Sequence, residues 1–290
     1  MKILVAYDGS EGSDAALKDL ALAGLPDNTE VLVMSLADVF LPPDDQPGEE
    51  TFPPYVPETV KLAHERAQQK LEDAQDMAQR ASEQIRSAFP AWSVHYEALA
   101  DSPAWGLLRT ADHWKPDLIV MGARGHSMFE ARLILGSISQ RVLYEARGSV
   151  RIARPPRKNA GQPVFILIGS DNSVDSSAAV DAVCKRRWPR GSEVALLTVV
   201  DSVLETTPHT SEPSQLSAEK LRDAGLHVNV LVKRGKAADE ILEEAEAWGA
   251  DCIFVGAKGT RSISRLMLGS VSSSVAARAH CSVEVVRPPS

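Results

Sequence analysis

Long hydrophobic runs are missing from this sequence of 290 residues, and no apolar stretch approaches the roughly 18 to 20 residues that a membrane span needs. The opening Met1-Lys2-Ile3-Leu4-Val5-Ala6-Tyr7-Asp8 meets an acidic residue too early for a secretory segment, so the expected location is cytoplasmic. Cysteine is scarce. Cys184, Cys252 and Cys281 show no CxxC spacing, which argues against a disulfide scaffold or zinc ribbon and leaves small buried residues in a reducing compartment. Positive charge is not in excess: the net charge of -8 offers no footprint for nucleic acid or for an anionic membrane. Neither a Walker A loop nor G-x-G-x-x-G occurs, against P-loop NTPases and dinucleotide dehydrogenases. The five tryptophans read as packing residues.

What is present is an internal repeat. Asp117-Leu118-Ile119-Val120-Met121-Gly122-Ala123-Arg124-Gly125 reappears as Asp251-Cys252-Ile253-Phe254-Val255-Gly256-Ala257-Lys258-Gly259, 134 residues on. Gly136-Ser137-Ile138-Ser139 matches Gly269-Ser270-Val271-Ser272, and Ser149 to Pro156 matches Ser282 to Pro289, both at an offset of 133. Near the start, Ile3 to Ser10 aligns with Ile166 to Ser173, which puts Asp8 on Asp171 at an offset of 163. Residues 157–163, rich in Pro, Gly and polar side chains, read as a linker between domains at 1–156 and 164–290. The halves differ at the surface. Residues 1–156 hold 15 Lys and Arg against 23 Asp and Glu, whereas 157–290 hold 16 of each. Asp38 to Glu58 carries six prolines and six acidic residues without Lys or Arg, so it reads as a solvated excursion, a lid or a partner-docking segment.

Short apolar runs alternate with helical patterns in each copy, the signature of βαβ units around a parallel sheet buried on both faces. Strands are predicted near 2–7, 30–36, 93–98, 117–121 and 149–153, then near 164–169, 193–199, 227–232, 251–255 and 282–286. Predicted helices in the first copy run from Ser13 to Leu22, Glu58 to Ala88, Ala104 to His113 and Ser137 to Arg147. The expected fold class is α/β: two doubly wound domains, each a five-stranded parallel sheet with about four helices. Val150 to Ala153 and Val283 to Val286 would be bare sheet edges, so each is expected to be covered by the other half or another chain.

Ligands of open parallel sheets sit beyond the carboxyl ends of the strands, where helix N-termini present unpaired N–H groups. Gly122, Arg124 and Gly125, then Gly136 and Ser137, occupy that edge in the first copy; Gly256, Lys258, Gly259, Gly269 and Ser270 do so in the second. Such glycines serve either as turn residues or as room for a phosphate beside a cation. Asp8 and Asp171 end the first strand of each copy, as a ribose or cation ligand or as a turn cap. Neither a Ser-His-Asp nor a Cys-His set is duplicated, nor are paired carboxylates. His126 alone lies beside a phosphate-loop candidate, and its counterpart is Thr260.

These motifs together resemble a tandem universal stress protein of the ATP-binding type, which is marked by Gly, two residues, Gly, nine residues, then Gly with Ser or Thr. Gly256, Gly259, Gly269 and Ser270 match that spacing, while the first copy has ten residues, His126 to Leu135. The resemblance implies a nucleotide-α-hydrolase-like fold and an ATP pocket. Ala6, Tyr7 and Asp8, or Gly169, Ser170 and Asp171, would meet base and ribose, with Leu36 or Val199 on adenine and Met121 or Val255 beside it. The glycines with Arg124 or Lys258 would follow the phosphates to Ser137-Ile138-Ser139 or Ser270-Val271-Ser272. It further implies Mg²⁺ or Mn²⁺ with the phosphates, at most slow hydrolysis, pairing through the last strands into a pseudo-dimer, and a possible homodimer. An interaction protein that binds no nucleotide and an adenylating enzyme are the alternatives. The loose likeness of Asp8-Gly9-Ser10-Glu11-Gly12-Ser13 to an adenylating loop loses both glycines in the second copy.

Overall fold

The computed structural model describes residues 1–39, 58–125, 135–200, 212–259 and 268–288. Most of the acidic proline-rich segment, together with His126 and Thr260, lies outside the described residues. Strands and helices alternate as the apolar runs require. The first half runs β1 (Lys2–Ala6), α1 (Glu11–Asp19), a 3-10 turn (Leu20–Leu22), β2 (Glu30–Ala37), α2 (Glu58–Ala88), β3 (Ser93–Ala100), α3 (Pro103–Trp114), β4 (Leu118–Gly122), α4 (Ser137–Glu145) and β5 (Ser149–Ala153). The second runs β6 (Phe165–Ser170), α5 (Val174–Cys184), β7 (Glu193–Val200), α6 (Glu212–Asp223), β8 (His227–Arg234), α7 (Ala237–Trp248), β9 (Cys252–Gly256), α8 (Ser270–Arg278) and β10 (Ser282–Val286).

Local chemistry sets the element ends. Ser10 and Ser173 cap α1 and α5 in the same way, each hydroxyl accepting from the backbone N–H three residues on at 3.2 Å. Along α2, Ala67, Ala74, Ala78, Ala81 and Ile85 bury a stripe at helical spacing against β2 and β3. The left-handed cap after α7 is Gly249 at φ 70°, whereas the equivalent position after α3 is Lys115 at φ 52°. Among the described residues no helix is long and apolar enough to cross a membrane.

The ten strands of the described residues join one sheet in the order β3-β2-β1-β4-β5-β10-β9-β6-β7-β8. Pairing is parallel inside each half and antiparallel only where β5 meets β10. The two final strands therefore cover each other's edge, as a bare strand demands. At that junction Val283 faces Ile152, Glu284 faces Arg151 and Val285 faces Val150. Arg151 and Glu284 are equivalent positions of the repeat, so a pseudo-twofold axis passes between them.

The two faces of the junction differ. Val150, Ile152, Val283 and Val285 belong to one apolar core that runs unbroken through both halves. On the opposite face the cores are separate, and buried charges stand between them. Arg151 donates to Asp19 at 2.6 and 3.1 Å and to Glu284 at 3.4 Å; Arg186 donates to Glu284 at 2.5 Å and to the Ala23 carbonyl at 2.7 Å. Ser282 closes the set by donating its hydroxyl to Asp19 at 2.7 Å. None of the four charged side chains is more than 3% exposed.

Two further arginines cross the junction reciprocally. Arg154, after β5, donates to the Ala276, Ala277 and Cys281 carbonyls at the end of α8. Arg287, after β10, donates to the Leu143 and Gly148 carbonyls at the end of α4. A cation suits a helix C-terminus, whose last carbonyls lack partners and whose dipole is negative. The repeated Arg-Pro ending is thus an interlock between halves.

Replacing Arg151 with Met leaves Asp19 buried without its cation. The expected loss is about 3 to 5 kcal/mol in urea unfolding, against a change within about 0.5 kcal/mol for Arg147→Ala in the exposed Arg147–Asp112 pair. Burial also pushes the Cys252 and Cys281 thiols up to about 12. Iodoacetamide at about pH 8 should therefore leave both unmodified in the native protein; alkylation as fast as in urea would contradict their placement.

Candidate functional site

The strand order reverses at β1: β2 and β3 extend to one side, β4 and β5 to the other. Such a switch point opens a crevice at the carboxyl edge. Here the crevice is a cavity of about 350 Å³, within the range that holds small-molecule ligands. Its wall is apolar where Met34, Leu36, Leu107, Met121 and Ile138 converge, and polar where Asp8, Arg124 and the Gly136–Ser139 turn meet. Ala6, Tyr7, Gly122, Gly125, Ser137 and Ser139 complete the set of first-half candidates, and every one of them lines this cavity. Ser13, Met34, Pro103 and Leu107 also line it without having been singled out as ligand contacts. Met34 was findable, because it lies two residues from Leu36 on the same strand and shares its face. Pro103 and Leu107 carry no motif; they are one helical turn apart on α3 and arrive through the tertiary fold.

Asp8 is held in place. Its Oδ1 accepts from the Ser10 N–H at 3.1 Å and from the Ser10 hydroxyl at 2.5 Å. A Cβ on Gly125 would overlap its other oxygen, so a larger residue there would have to push the carboxylate aside. Gly122 is small for a related reason. A side chain there would strike the Gly12 backbone at the start of α1, and one on Gly12 would strike the Arg124 carbonyl. Room at these positions is taken by the protein itself, rather than left for a phosphate as the sequence reading allowed. Gly136 is different: its nearest neighbour to an added Cβ is 3.5 Å away, an ordinary contact.

Gly136 is the N-cap of α4 and provides no side-chain cap. The first-turn N–H groups of α4 therefore receive no side-chain oxygen from their own cap residue and carry the positive end of the helix dipole. Ser139 is buried and donates its hydroxyl to the Gly122 carbonyl at 2.9 Å, which ties α4 to β4. Tyr7 turns its phenol to Asp14 at 2.7 Å, and burial followed by that carboxylate pushes its pKa up to about 12.

The second half repeats the plan with changes. Gly169 and Ser170 end β6 and Asp171 follows it, Val199 lies at the end of β7, and Val255, Gly256, Lys258 and Gly259 lie at and beyond the end of β9. Gly269 caps α8, whose first residues are Ser270, Val271 and Ser272. Ser272 donates to the Ala257 carbonyl at 2.9 Å, as Ser139 does to Gly122. Here Asp175 stands at the position of Gly12 and accepts from the Lys258 N–H at 3.0 Å. The Ile241 δ-methyl is 2.8 Å from where a Cβ on Gly169 would be, so it fills the place that the half-buried Ala6 side chain has in the first half.

Among the described residues no group of three or more His, Cys, Asp or Glu could hold a metal. Asp8 is the one carboxylate among the described cavity-lining residues, so a cation here fits only as the companion of a ligand's own phosphates.

The model of the universal stress protein family matches twice, over residues 1–154 and 166–287. This chain belongs to the universal stress protein family. A universal stress protein of Mycolicibacterium smegmatis is 29% identical over 99% of this chain and 97% of its own length. Universal stress protein YxiE of Bacillus subtilis is 36% identical over 42% of this chain and 97% of its own. Among solved structures, a universal stress protein from Archaeoglobus fulgidus DSM 4304 matches with a TM-score of 0.68 across 99% of this chain and 98% of that one, at 22% identity, which supports the α/β fold.

Gly136→Ala is expected to lose no more than about 1 kcal/mol, the cost of alanine at an N-cap, whereas Gly122→Ala should lose about 2 to 4 kcal/mol, because its methyl meets backbone. Equal denaturation midpoints for the two would contradict the geometry. For Tyr7 the folded pKa lies above the ordinary 10.0, so its contribution is present below about pH 10 and is lost as pH rises through about 12. Tyr7→Phe should flatten stability in that window.

Proposed function

We propose that the first-half cavity binds ATP, accompanied by Mg²⁺ or Mn²⁺, and that occupancy regulates the protein's assembly or its partners in a stress response. The observation that carries this reading is one cavity lined both by an apolar set, Met34, Leu36, Leu107 and Met121, and by the glycine-capped N-terminus of α4 beside Arg124. Adenine suits the slot between Leu36, Met34 and Met121. Asp8, fixed by Ser10, suits a ribose hydroxyl. Phosphates suit the first N–H groups of α4, with Arg124 as counter-charge. Membership of the universal stress protein family supports the stress-response role.

The chemistry favours binding over turnover. No histidine is among the described lining residues, and the one carboxylate already accepts two hydrogen bonds from Ser10. A base poised to activate water is not part of that arrangement. The adenylating reading gains nothing, since Ser10 and Gly12 serve the α1 cap and the close approach of the Arg124 loop. In the second half, Ile241 against Gly169 and Asp175 on the Lys258 N–H favour weaker nucleotide binding or none.

Calorimetric titration of ATP·Mg²⁺ into nucleotide-free protein tests the reading. One saturable site is expected, weakened about tenfold or more by Arg124→Ala, with the melting temperature rising as ATP increases. Absence of both binding and thermal protection at millimolar ATP would overturn it in favour of an interaction protein.

A further inference from the structure

The β5–β10 junction holds two kinds of determinant. Most are the same in both halves. Main-chain edge groups, the valine and isoleucine face, the capping Arg154 and Arg287, and their acceptors Ser282 and Ser149 all occur in duplicate. Taken alone they would let two first halves, or two second halves, pair as well as unlike ones.

The charges break that symmetry. Each half carries its own buried ion pair, Asp19 with Arg151 and Arg186 with Glu284. The repeat places Ala182 where the first half has Asp19, and Ala23 where the second has Arg186. In the observed pairing the row reads Asp19, Arg151, Glu284, Arg186, alternating in sign, with Arg151 donating to Glu284 across the axis at 3.4 Å. Pairing of like halves in the same register would set Arg151 against Arg151, or Glu284 against Glu284. Water could not screen either contact, because these side chains are at most 3% exposed. A steric feature points the same way. The Trp188 ring lies 2.9 Å from where a Cβ on Gly24 would be, and the second half has Arg187 at the position of Gly24.

We infer that the pairing face of each half is selective for the unlike half, through the alternating buried charge row and the Gly24 seat for Trp188, and rejects its own kind. The partner that fits β5 is thus a second half, from the same chain or from another copy by reciprocal exchange. Selectivity of this sort works by the repulsion built into the wrong pairing.

The test keeps the chain whole until it has folded. A protease site is placed in the exposed turn at residues 159–162, the folded protein is cut there, and light and isotope-labelled preparations are mixed in graded urea. Native mass spectrometry should show exchange into unlike pairs only, with like pairs about tenfold or more below the statistical proportion. Like pairs at the statistical proportion would overturn the proposal. Where the cut halves do not exchange, the uncut variants Glu284→Lys and Glu284→Gln decide. Hydrogen exchange in β5 and β10 should be about a hundredfold faster in the lysine variant than in the glutamine variant. A lysine variant that does not fold beside a glutamine variant that does is the same result at its limit, and equal rates in the two overturn the proposal.

Discussion

The antiparallel meeting of β5 and β10 is the contact on which the rest of this molecule depends. It removes both exposed strand edges, makes one apolar core continuous through the two halves, and places a pseudo-twofold axis between Arg151 and Glu284. Burying charge there is costly, and the row offsets that cost by pairing every charge and by adding bonds from Ser282 and to the Ala23 carbonyl. Arg154 and Arg287 extend the junction to the helix ends of the opposite half. The halves are therefore coupled through strands, helix termini and a charge row at once. A shift in α4 on one side would be felt by Arg287 on the other, which gives the nucleotide occupancy we propose a physical route to the second half.

The cavity depends on a different constraint, the close approach of three backbones. Gly12 at the start of α1, Gly122 at the end of β4 and the Arg124 backbone beyond it leave no room for side chains between them, and Gly125 lies against the Asp8 carboxylate. Arg124 and the start of α4 meet beside that approach and line the cavity together. In the second half Asp175 replaces Gly12, and the loop is held by a side chain instead of by bare backbone. One duplicated plan thus yields two unequal sites.

Much of this was legible in the sequence because buried parallel strands announce themselves as short apolar runs; all ten strands lie where those runs do. Among the first-half ligand candidates, Asp8, Gly122, Arg124, Gly125, Gly136 and Ser137 were legible because turn glycines and strand ends mark the carboxyl edge of such a sheet, whereas Ala6, Tyr7, Leu36, Met121, Ile138 and Ser139 came from the family resemblance. The roles of the glycines were not. Whether the missing Cβ makes room for a ligand or for a neighbouring backbone depends on the approach of α1, which no spacing in the chain records. The charge row was hidden for the same reason: Asp19 and Arg151 lie 132 residues apart, and Arg186 and Glu284 lie 98 apart. The repeat makes Arg151 and Glu284 equivalent, but only the antiparallel register makes them partners.

A crystal structure grown with Mg²⁺ and a non-hydrolysable ATP analogue tests the central functional claim most directly. The account predicts adenine against Leu36 and Met121, the ribose at Asp8, and phosphate oxygens on the N–H groups that open α4. An analogue seated away from this cavity, or a cavity left empty at saturating concentration, would contradict it.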